Sequence, residues 1–530
     1  MSENASQRLL LTSVCGPFGV DDGFSTRENP CELFQNQVTR MQGVFSIRSH
    51  IRSFGLEFLA ANLEVPATVL DFPDENRFLR ELITGRYTHV GISFIVPNVD
   101  KARNQCRLVR EHAPGVKIIV GGHGTRIPGV KELLGCDYVC CGEGIRWLRA
   151  FFGEDPSRPI RHPAIPVEYH RRLLGLPLVN RKAVLVPGVG CAQHCEFCCT
   201  SHFFDGYTAL IPDADQLFEI MCSLSDTLRT NEFYVMDENF LGDEARVHRL
   251  IELMHRHQRY FVLDVFSTLR DLSRYDPLTL VKLGLEFAWV GIESRRPLFA
   301  KVAGIDAAAV MEKLRRHGVS LLASTILFLD HHDEKSLWDD VEFTIGLSPD
   351  YIQFMELGPF PGTPLYERMV KAGRIRHREY RYWHGQERIW FDHPRFSADD
   401  SKRILDEAFR REFQALGPSM LRNAETRLLA VETGRVWTDP FLKARHAIHV
   451  KYARQVRPIL PALWLLSPTP DLRAKARRVI DRYEQVLGPL TAFEKLQGCL
   501  LTLSGRMEQR RLLKGREVSQ PPTVITRYRQ

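Results

Sequence analysis

Residues 183–204 of this 530-residue chain, "AVLVPGVGCAQHCEFCCTSHFF", constrain its fold more than any other stretch. A short apolar strand, Ala183 to Val186, runs into a Pro-Gly-Val-Gly turn. Cys191, Cys195 and Cys198 follow at spacing C-x3-C-x2-C, with Phe197 directly before the third. One strand must therefore end in a loop on which three thiols converge. Iron–sulfur clusters normally take four cysteines, so three thiolates imply a cube with one iron open to another ligand. Zinc is the competing reading, because it takes four N or S ligands and His194, Cys199 or His202 can supply the fourth. A disulfide fits less well, since nothing marks the chain as secreted.

Composition narrows the setting. Hydrophobic residues make up 44% and charged residues 25%, which excludes a disordered chain and suits two to four globular domains. The N-terminal "MSENASQRLLLTSVCG" lacks the basic flank and apolar core of a signal peptide. No run approaches the length of a spanning helix. Twelve cysteines are too dilute for a disulfide scaffold. A cytoplasmic, reducing location is the expectation. Charge is uneven: from residue 401 onward there are 25 Lys and Arg against 12 Asp and Glu, and before it 46 against 52. A basic C-terminal portion on an acidic body suggests an anionic partner, such as a membrane, a nucleic acid or an acidic substrate; a solvated helical surface is an equal reading.

Residues 1–152 alternate strands and helices. "RLLLTSV", "ATVLDFP", "THVGISFI", "KIIVGGHG" and "YVCCGEG" read as strands that are almost continuously apolar, separated by helices such as 101–111 and 128–134. That pattern indicates a doubly wound parallel sheet, whose ligands bind at the carboxyl ends of the strands. Phe45, Ile51, Phe54, Phe58 and Leu59 fall on one helical stripe. Two strand ends are glycine-rich: Gly121, Gly122, His123, Gly124, and Gly142, Glu143, Gly144. Glycines admit a close ligand, but they also make tight turns. His123 reads as polar loop surface before it reads as a metal ligand. Residues 153–177 are Pro-rich with little periodicity and read as an extended connector.

Alternation resumes over 178–376, giving six β-α units: strands at 183–186, 232–237, 261–267, 287–293, 320–329 and 351–358, with helices between them. In parallel barrels chemistry sits at the C-terminal strand ends. The cysteine loop follows the first strand. Asp237, Glu238 and Asn239 follow the second, Ser267 ends the third and Glu293 ends the fourth. Asp237 and Asn239 serve equally well as helix caps. A carboxylate ending an apolar strand is costly to bury without a partner, which favours a functional Glu293. Asp330, His331, His332, Asp333 and Glu334 form either a capping loop, the preferred reading, or a second metal site. Residues 377–530 open on an aromatic-rich stretch and continue as helices. "RPILPALWLL", preceded by Lys451, Arg454 and Arg457, suits either an interfacial anchor or a packed turn between helices. "SQPPTVITRYRQ" reads as a loose tail.

The cysteine loop, with its aromatic and its leading strand, closely resembles the signature of radical S-adenosylmethionine (SAM) enzymes. The "GGHG…GEG" stretch resembles the end of the cobalamin-binding-type domain that precedes many such cores, and "GIES" and "PGTPLY" resemble their strand-end and closing segments. The resemblance covers about residues 8–376. It implies an α/β chain: a Rossmann-like cobalamin-binding-type domain, a partial (β/α)6 radical SAM barrel and a mostly helical C-terminal region. It implies a 4Fe-4S cluster on Cys191, Cys195 and Cys198, which are also the catalytic set, with SAM on the open iron. Phe197, Asp237, Glu238, Asn239, Ser267 and Glu293 would line SAM, and Gly121, Gly122, Gly124, Gly142 and Glu143 would line cobalamin. The fold's D-x-H-x-x-G cobalt motif is absent; "CGPFGVDDGFSTREN" lies there instead. Cobalamin, where bound, would thus lack the usual lower histidine. The resemblance further implies an external flavodoxin- or ferredoxin-type electron donor. Reductive cleavage of SAM would yield a 5′-deoxyadenosyl radical that functionalises an unactivated carbon, by methyl transfer or by carbon–carbon coupling. A small-molecule or lipid-like substrate, peripheral membrane contact and no nucleic acid complete the expectation. The alternative is a non-catalytic zinc- or nucleic-acid-binding protein.

Overall fold

The computed structural model describes residues 7–28, 33–177, 182–296, 299, 302–376, 379–515 and 520–529, with the backbone alone for 33 and 168–171. The expected barrel start at residue 178 lies outside the described residues.

Strands in chain order are β1 (Leu9–Ser13), β2 (Arg48–Ile51), β3 (Ala67–Asp71), β4 (His89–Ser93), β5 (Lys117–Gly121), β6 (Tyr138–Cys140), β7 (Glu168–Leu173) and β8 (Leu176–Pro177). They continue as β9 (Ala183–Leu185), β10 (Gly188–Gly190), β11 (Tyr207–Ala209), β12 (Glu232–Val235), β13 (Val262–Thr268), β14 (Leu285–Glu293), β15 (Ser320–Leu327), β16 (Tyr351–Glu356) and β17 (Val524–Tyr528). One six-stranded sheet runs β17-β3-β1-β4-β5-β6 and a second runs β16-β15-β14-β13-β12-β9. Both are parallel apart from β17.

In the N-terminal sheet Leu9 and Leu11 pack on the face with Leu56, Leu63 and Leu148, while Leu10, Val90 and Ile118 pack on the other with Phe78 and Val109. Burial on both faces is why these strands read as unbroken apolar runs. The second sheet is the partial barrel. Its lumen is crossed by an aromatic layer in which Phe266 stacks on Trp289 at 5.4 Å and Trp289 Nε1 donates to Ser324 Oγ at 2.6 Å. Below that layer, at the amino ends of the strands, lies a cavity of about 1040 Å³ holding the pairs Lys182–Asp264 (2.5 Å) and Arg427–Glu286 (2.7 Å). Desolvation pushes buried Glu286 up to about 7, against the pull of Arg427. Five long helices, 398–416, 419–434, 440–456, 470–487 and 492–513, build the C-terminal region, and several of them close the barrel's lower end.

Three expectations are corrected, and one choice left open by the sequence is decided. The stripe from Phe45 to Leu59 is not one helix: Phe45 ends a short 3-10 turn and only Phe54–Ala61 is α-helical, because Arg48–Ile51 forms β2 and pairs antiparallel with β7. For the same reason the connector is not merely extended, since it supplies β7 and β8 to that three-stranded sheet. The tail is not loose: β17 runs antiparallel to β3, with Tyr528 Oη donating to Glu57 at 2.5 Å and Arg527 pairing with Glu81 at 2.8 Å. In "RPILPALWLL", Ile459, Leu460, Leu463 and Leu466 are buried among the C-terminal helices, so this stretch is a packed turn and not an apolar anchor. Trp383 and Trp390 of the aromatic-rich stretch stack at 5.3 Å inside the core of the N-terminal sheet.

Candidate active site

The cysteine loop stands at the carboxyl end of β9, framed by a hairpin the sequence did not disclose. β10 and β11 pair antiparallel across it, and Gly190 (φ +81°) is forced there: a Cβ would lie 1.9 Å from the Gly206 carbonyl oxygen. That approach lets Cys191 N–H donate to Gly206 O at 3.1 Å. Cys198 N–H donates to Cys195 O at 3.0 Å, closing the turn, and His202 Nε2 lies 3.1 Å from the same carbonyl. The "PGTPLY" segment braces the loop from outside. Leu365 N–H donates to Glu196 O at 3.1 Å, and Arg368 binds both Glu196 and Asp330 at 3.1 Å. Phe197 packs edge-on against Phe299 at 5.5 Å.

All three thiols are partly exposed. Burial pushes Cys191 up to about 11, with Cys198, Glu238 and Cys195 adding to the rise. Cys199 is pushed to about 12 by burial and makes a poor thiolate. Among the described residues, the group His331, His332 and Asp340 alone gathers three ligand atoms within 4.8 Å of one another. At least one pair of the three cysteine sulfurs is therefore more than 4.8 Å apart. In the histidine group, His332 bonds Asp340 at 3.1 Å through Nε2 and accepts from Leu329 N–H through Nδ1, so its nitrogens are spent on the protein. Asp333 and Ser336 form a capping box on helix 334–346, as the preferred reading had it.

The strand-end residues divide. Asp237 accepts from Tyr207 Oη at 2.9 Å and Arg246 Nη2 at 3.2 Å, and its other oxygen takes Asn239 N–H. It braces β11 of the hairpin. Asn239 donates to Asp271 at 2.9 Å and accepts from Thr268 N–H at 3.3 Å and Ser267 Oγ at 3.4 Å, tying the second strand end to the third. Glu238 is exposed, and Cys191 and Cys199 both feel its charge. Glu293 is buried at a register shift between β14 and β15, with φ +62°. A non-glycine residue held left-handed at a bulge costs conformational energy, and such positions cluster at functional sites.

The glycine-rich loops face the same place from the N-terminal sheet. A Cβ on Gly122 (φ +89°) would lie 2.5 Å from Phe94 O, and one on Gly124 would lie 2.2 Å from the Phe94 ring, so these glycines let the β5 loop close on the β4 loop. Gly121 ends β5, and Gly142 (φ +87°) lies beside Phe203 O. Glu143 caps helix 144–151 by accepting from Ile145 and Arg146 N–H. His123 stacks on Phe203 at 4.5 Å; burial pushes it down to about 4, and its Nε2 has no hydrogen-bond partner. Arg126 donates to His202 O and Phe203 O at 3.0 and 3.2 Å, clamping the helix that follows the cysteines. Between the two units lies a cavity of about 230 Å³ lined by Val96, His123, Arg126, Cys199, Phe360 and His384, among others. Arg126 was missed from the sequence although it stands two residues past "GGHG"; Tyr207 and Arg246 carry no motif at all.

A corrinoid is larger than the drug-sized ligands that fill about 300–1,000 Å³. The cavity therefore marks the place and the chemistry (apolar walls, a partnerless imidazole nitrogen) rather than the full volume, and its walls must part for a corrinoid to enter.

No family model matches the chain. A bacteriochlorophyllide d C-12(1)-methyltransferase from Chlorobaculum tepidum is 24% identical over 216 residues, which are 38% of this chain and 46% of that protein. The chain thus spans less than half the length of that curated relative. The radical S-adenosylmethionine methyltransferase TsrM from Kitasatospora setae, solved with cobalamin and a 4Fe-4S cluster bound, superposes with a TM-score of 0.52 at 16% identity, covering 85% of this chain and 99% of that one. TsrM with tryptophan and the SAM analogue aza-SAM gives 0.53 at 15% identity over the same shares. The likeness is one of fold: an N-terminal doubly wound sheet, a partial barrel and a helical C-terminal region in one order.

Proposed function

We propose that this protein is a radical SAM enzyme that transfers a methyl group to an unactivated carbon. The observation that carries the reading is the three-thiol loop at the end of the first barrel strand, followed by a helix whose Cys199, Thr200 and Phe203 line the cavity against the N-terminal sheet. Cys191, Cys195 and Cys198 would hold a 4Fe-4S cluster, and Glu238 and Glu293 would help to hold SAM. His123, Arg126 and the β4 loop would receive a corrinoid. When bound, these groups supply one-electron reductive cleavage of SAM and a transferable methyl group. The chain's own part is to orient and to exclude water. Asp237 and Arg246 fix the hairpin, Arg126 fixes the helix after the cysteines, and Trp383, Phe360 and Phe203 keep the seam apolar. Methyl transfer is favoured over coupling because both the partial relative and the TsrM fold carry methyltransferase names. The acceptor we propose is apolar or lipid-like, in keeping with that seam, and an external flavodoxin- or ferredoxin-type protein is the proposed electron source.

The test is anaerobic reconstitution followed by iron and sulfide quantitation, the electron paramagnetic spectrum with and without SAM, and the visible spectrum after cobalamin is added. The expected result is four irons per chain, a spectrum that changes with SAM, 5′-deoxyadenosine formation and a bound corrinoid, with the first three lost in Cys195→Ala. One zinc per chain and no SAM cleavage would overturn the reading. A cluster that cleaves SAM without binding cobalamin would overturn the methyl-transfer part alone.

A further inference from the structure

The last long helix, Ala492–Leu513, carries an apolar face that no other described residue covers. Phe493, Leu496, Leu500, Leu503 and Met507 repeat at alternating spacings of three and four, and each is between 55% and 71% exposed. The stripe does not result from loose docking. The opposite face, Gly498, Thr502 and Gly505, is buried; a Cβ on Gly505 would lie 2.4 Å from Leu466, and one on Gly498 3.2 Å from Pro458 O. Glycines press the helix onto the turn at 457–466 and so fix the stripe outward.

Its charges are of one sign. The exposed ionisable side chains along the helix and its cap are Lys495, Arg506, Arg510 and Lys514. The two acids point elsewhere: Glu494 closes the capping box with Thr491 and pairs with Arg457 at 3.4 Å, and Glu508 is buried against Arg511 at 2.6 Å. Beside the helix a groove is lined by Gln497, Pro458, Glu494, Lys451 and Arg454, the last two exposed; its one acid, Glu494, is the residue paired with Arg457. A second copy of the helix is a poor occupant. With Phe493, Leu500 and Met507 at one seam position and Leu496 and Leu503 at the other, a parallel pair sets Arg506 of one copy against Arg511 of the next. No flanking position offers an acid.

We propose that this helix lies flat in the interface of an anionic lipid bilayer, its stripe in the acyl boundary and its cations among the headgroup phosphates. Aromatic and leucine side chains on one face and Lys and Arg beside them are the makings of an interfacial helix. At about 1.5 Å per residue its 22 residues extend roughly 33 Å, and the glycine face, spent on the protein, keeps it along the surface rather than across it. Among the described residues no helix is long and apolar enough to cross a membrane.

The test is flotation of the intact, reconstituted protein with vesicles of phosphatidylcholine alone and of phosphatidylcholine with phosphatidylglycerol in equal parts. The protein is expected to float with the mixed vesicles at low salt and to stay behind with the neutral ones. Arg506→Gln with Arg510→Gln should weaken the partition roughly thirty-fold, at about fivefold per cation. Leu500→Glu with Leu503→Glu should abolish it, and neither pair should shift the melting temperature. Wild-type protein that remains soluble beside mixed vesicles, or variants that float as well as wild type, would overturn the proposal. So would a concentration-dependent doubling of mass in light scattering that Leu500→Glu with Leu503→Glu reverses, since it gives the face to a second copy.

Discussion

Asp237 and Glu238 are neighbours with opposite assignments. Asp237 lies within a buried pair with Arg246, and both its oxygens are bonded. Removing it leaves a buried guanidinium without its counter-charge, which costs about 3–5 kcal/mol. Asp237→Ala is therefore expected to lower the melting temperature and the iron content together. Glu238→Gln should leave both unchanged and raise the concentration of SAM needed for half-maximal cleavage. At Glu356, burial between the last barrel strand and helix 398–416 outweighs Ser401 and Arg40 and pushes the carboxyl up to about 7. The folded protein holds that proton up to about pH 7, whereas an unfolded chain releases it near 4.5. Stability attached to this group therefore falls as pH rises from about 4.5 to 7. Glu356→Gln should gain about 2–3 kcal/mol at pH 8 and nothing at pH 4, read by denaturant titration at both. The thiols were legible from the sequence because their spacing is a motif. The bracing role of Asp237 was not, because its partners Tyr207 and Arg246 come from two other elements.

The hairpin of β10 and β11 governs whether the loop can hold a cluster. Gly190→Ala puts a methyl group 1.9 Å from Gly206 O and removes the left-handed residue, so Cys191 loses its anchor. Its expected effect is a several-fold fall in iron per chain with little change in circular dichroism, because the hairpin lies outside both large sheets. Nearly every strand and helix of the two sheets was legible in the sequence, since apolar runs punctuated by caps report burial on both faces. What failed was short antiparallel pairing. β2, β7, β8, β10 and β11 are each two to six residues long; β2 and β7 find each other from far along the chain, and β8 only folds back on β7. Glu143, beside a suggestive glycine, also caps its own helix, which the sequence did not disclose. Glu143→Ala should cost about 1 kcal/mol in thermal stability and leave cobalamin binding intact.

For the molecule as a whole, the two ends of the chain meet in one sheet. β17 pairs with β3 along five residue pairs, and Thr526, Arg527 and Tyr528 bond Glu57 and Glu81. A chain shortened after Gly515 should melt earlier and aggregate, because β3 becomes an open edge, while its cysteine loop keeps its framing hairpin. The order of the three units could be read from the alternation of strands and helices. The return of the tail could not, because nothing in a five-residue strand names its partner. That closing strand also sets a timetable for synthesis. Phe72 and Thr523, bonded to one another in the finished protein, are 451 residues apart. At roughly 5–20 residues per second the first sheet therefore waits on the order of half a minute to a minute and a half on the ribosome with one flank unsealed. Newborn chains of this protein must pass that interval shielded by a chaperone, or pay for it in misassembly.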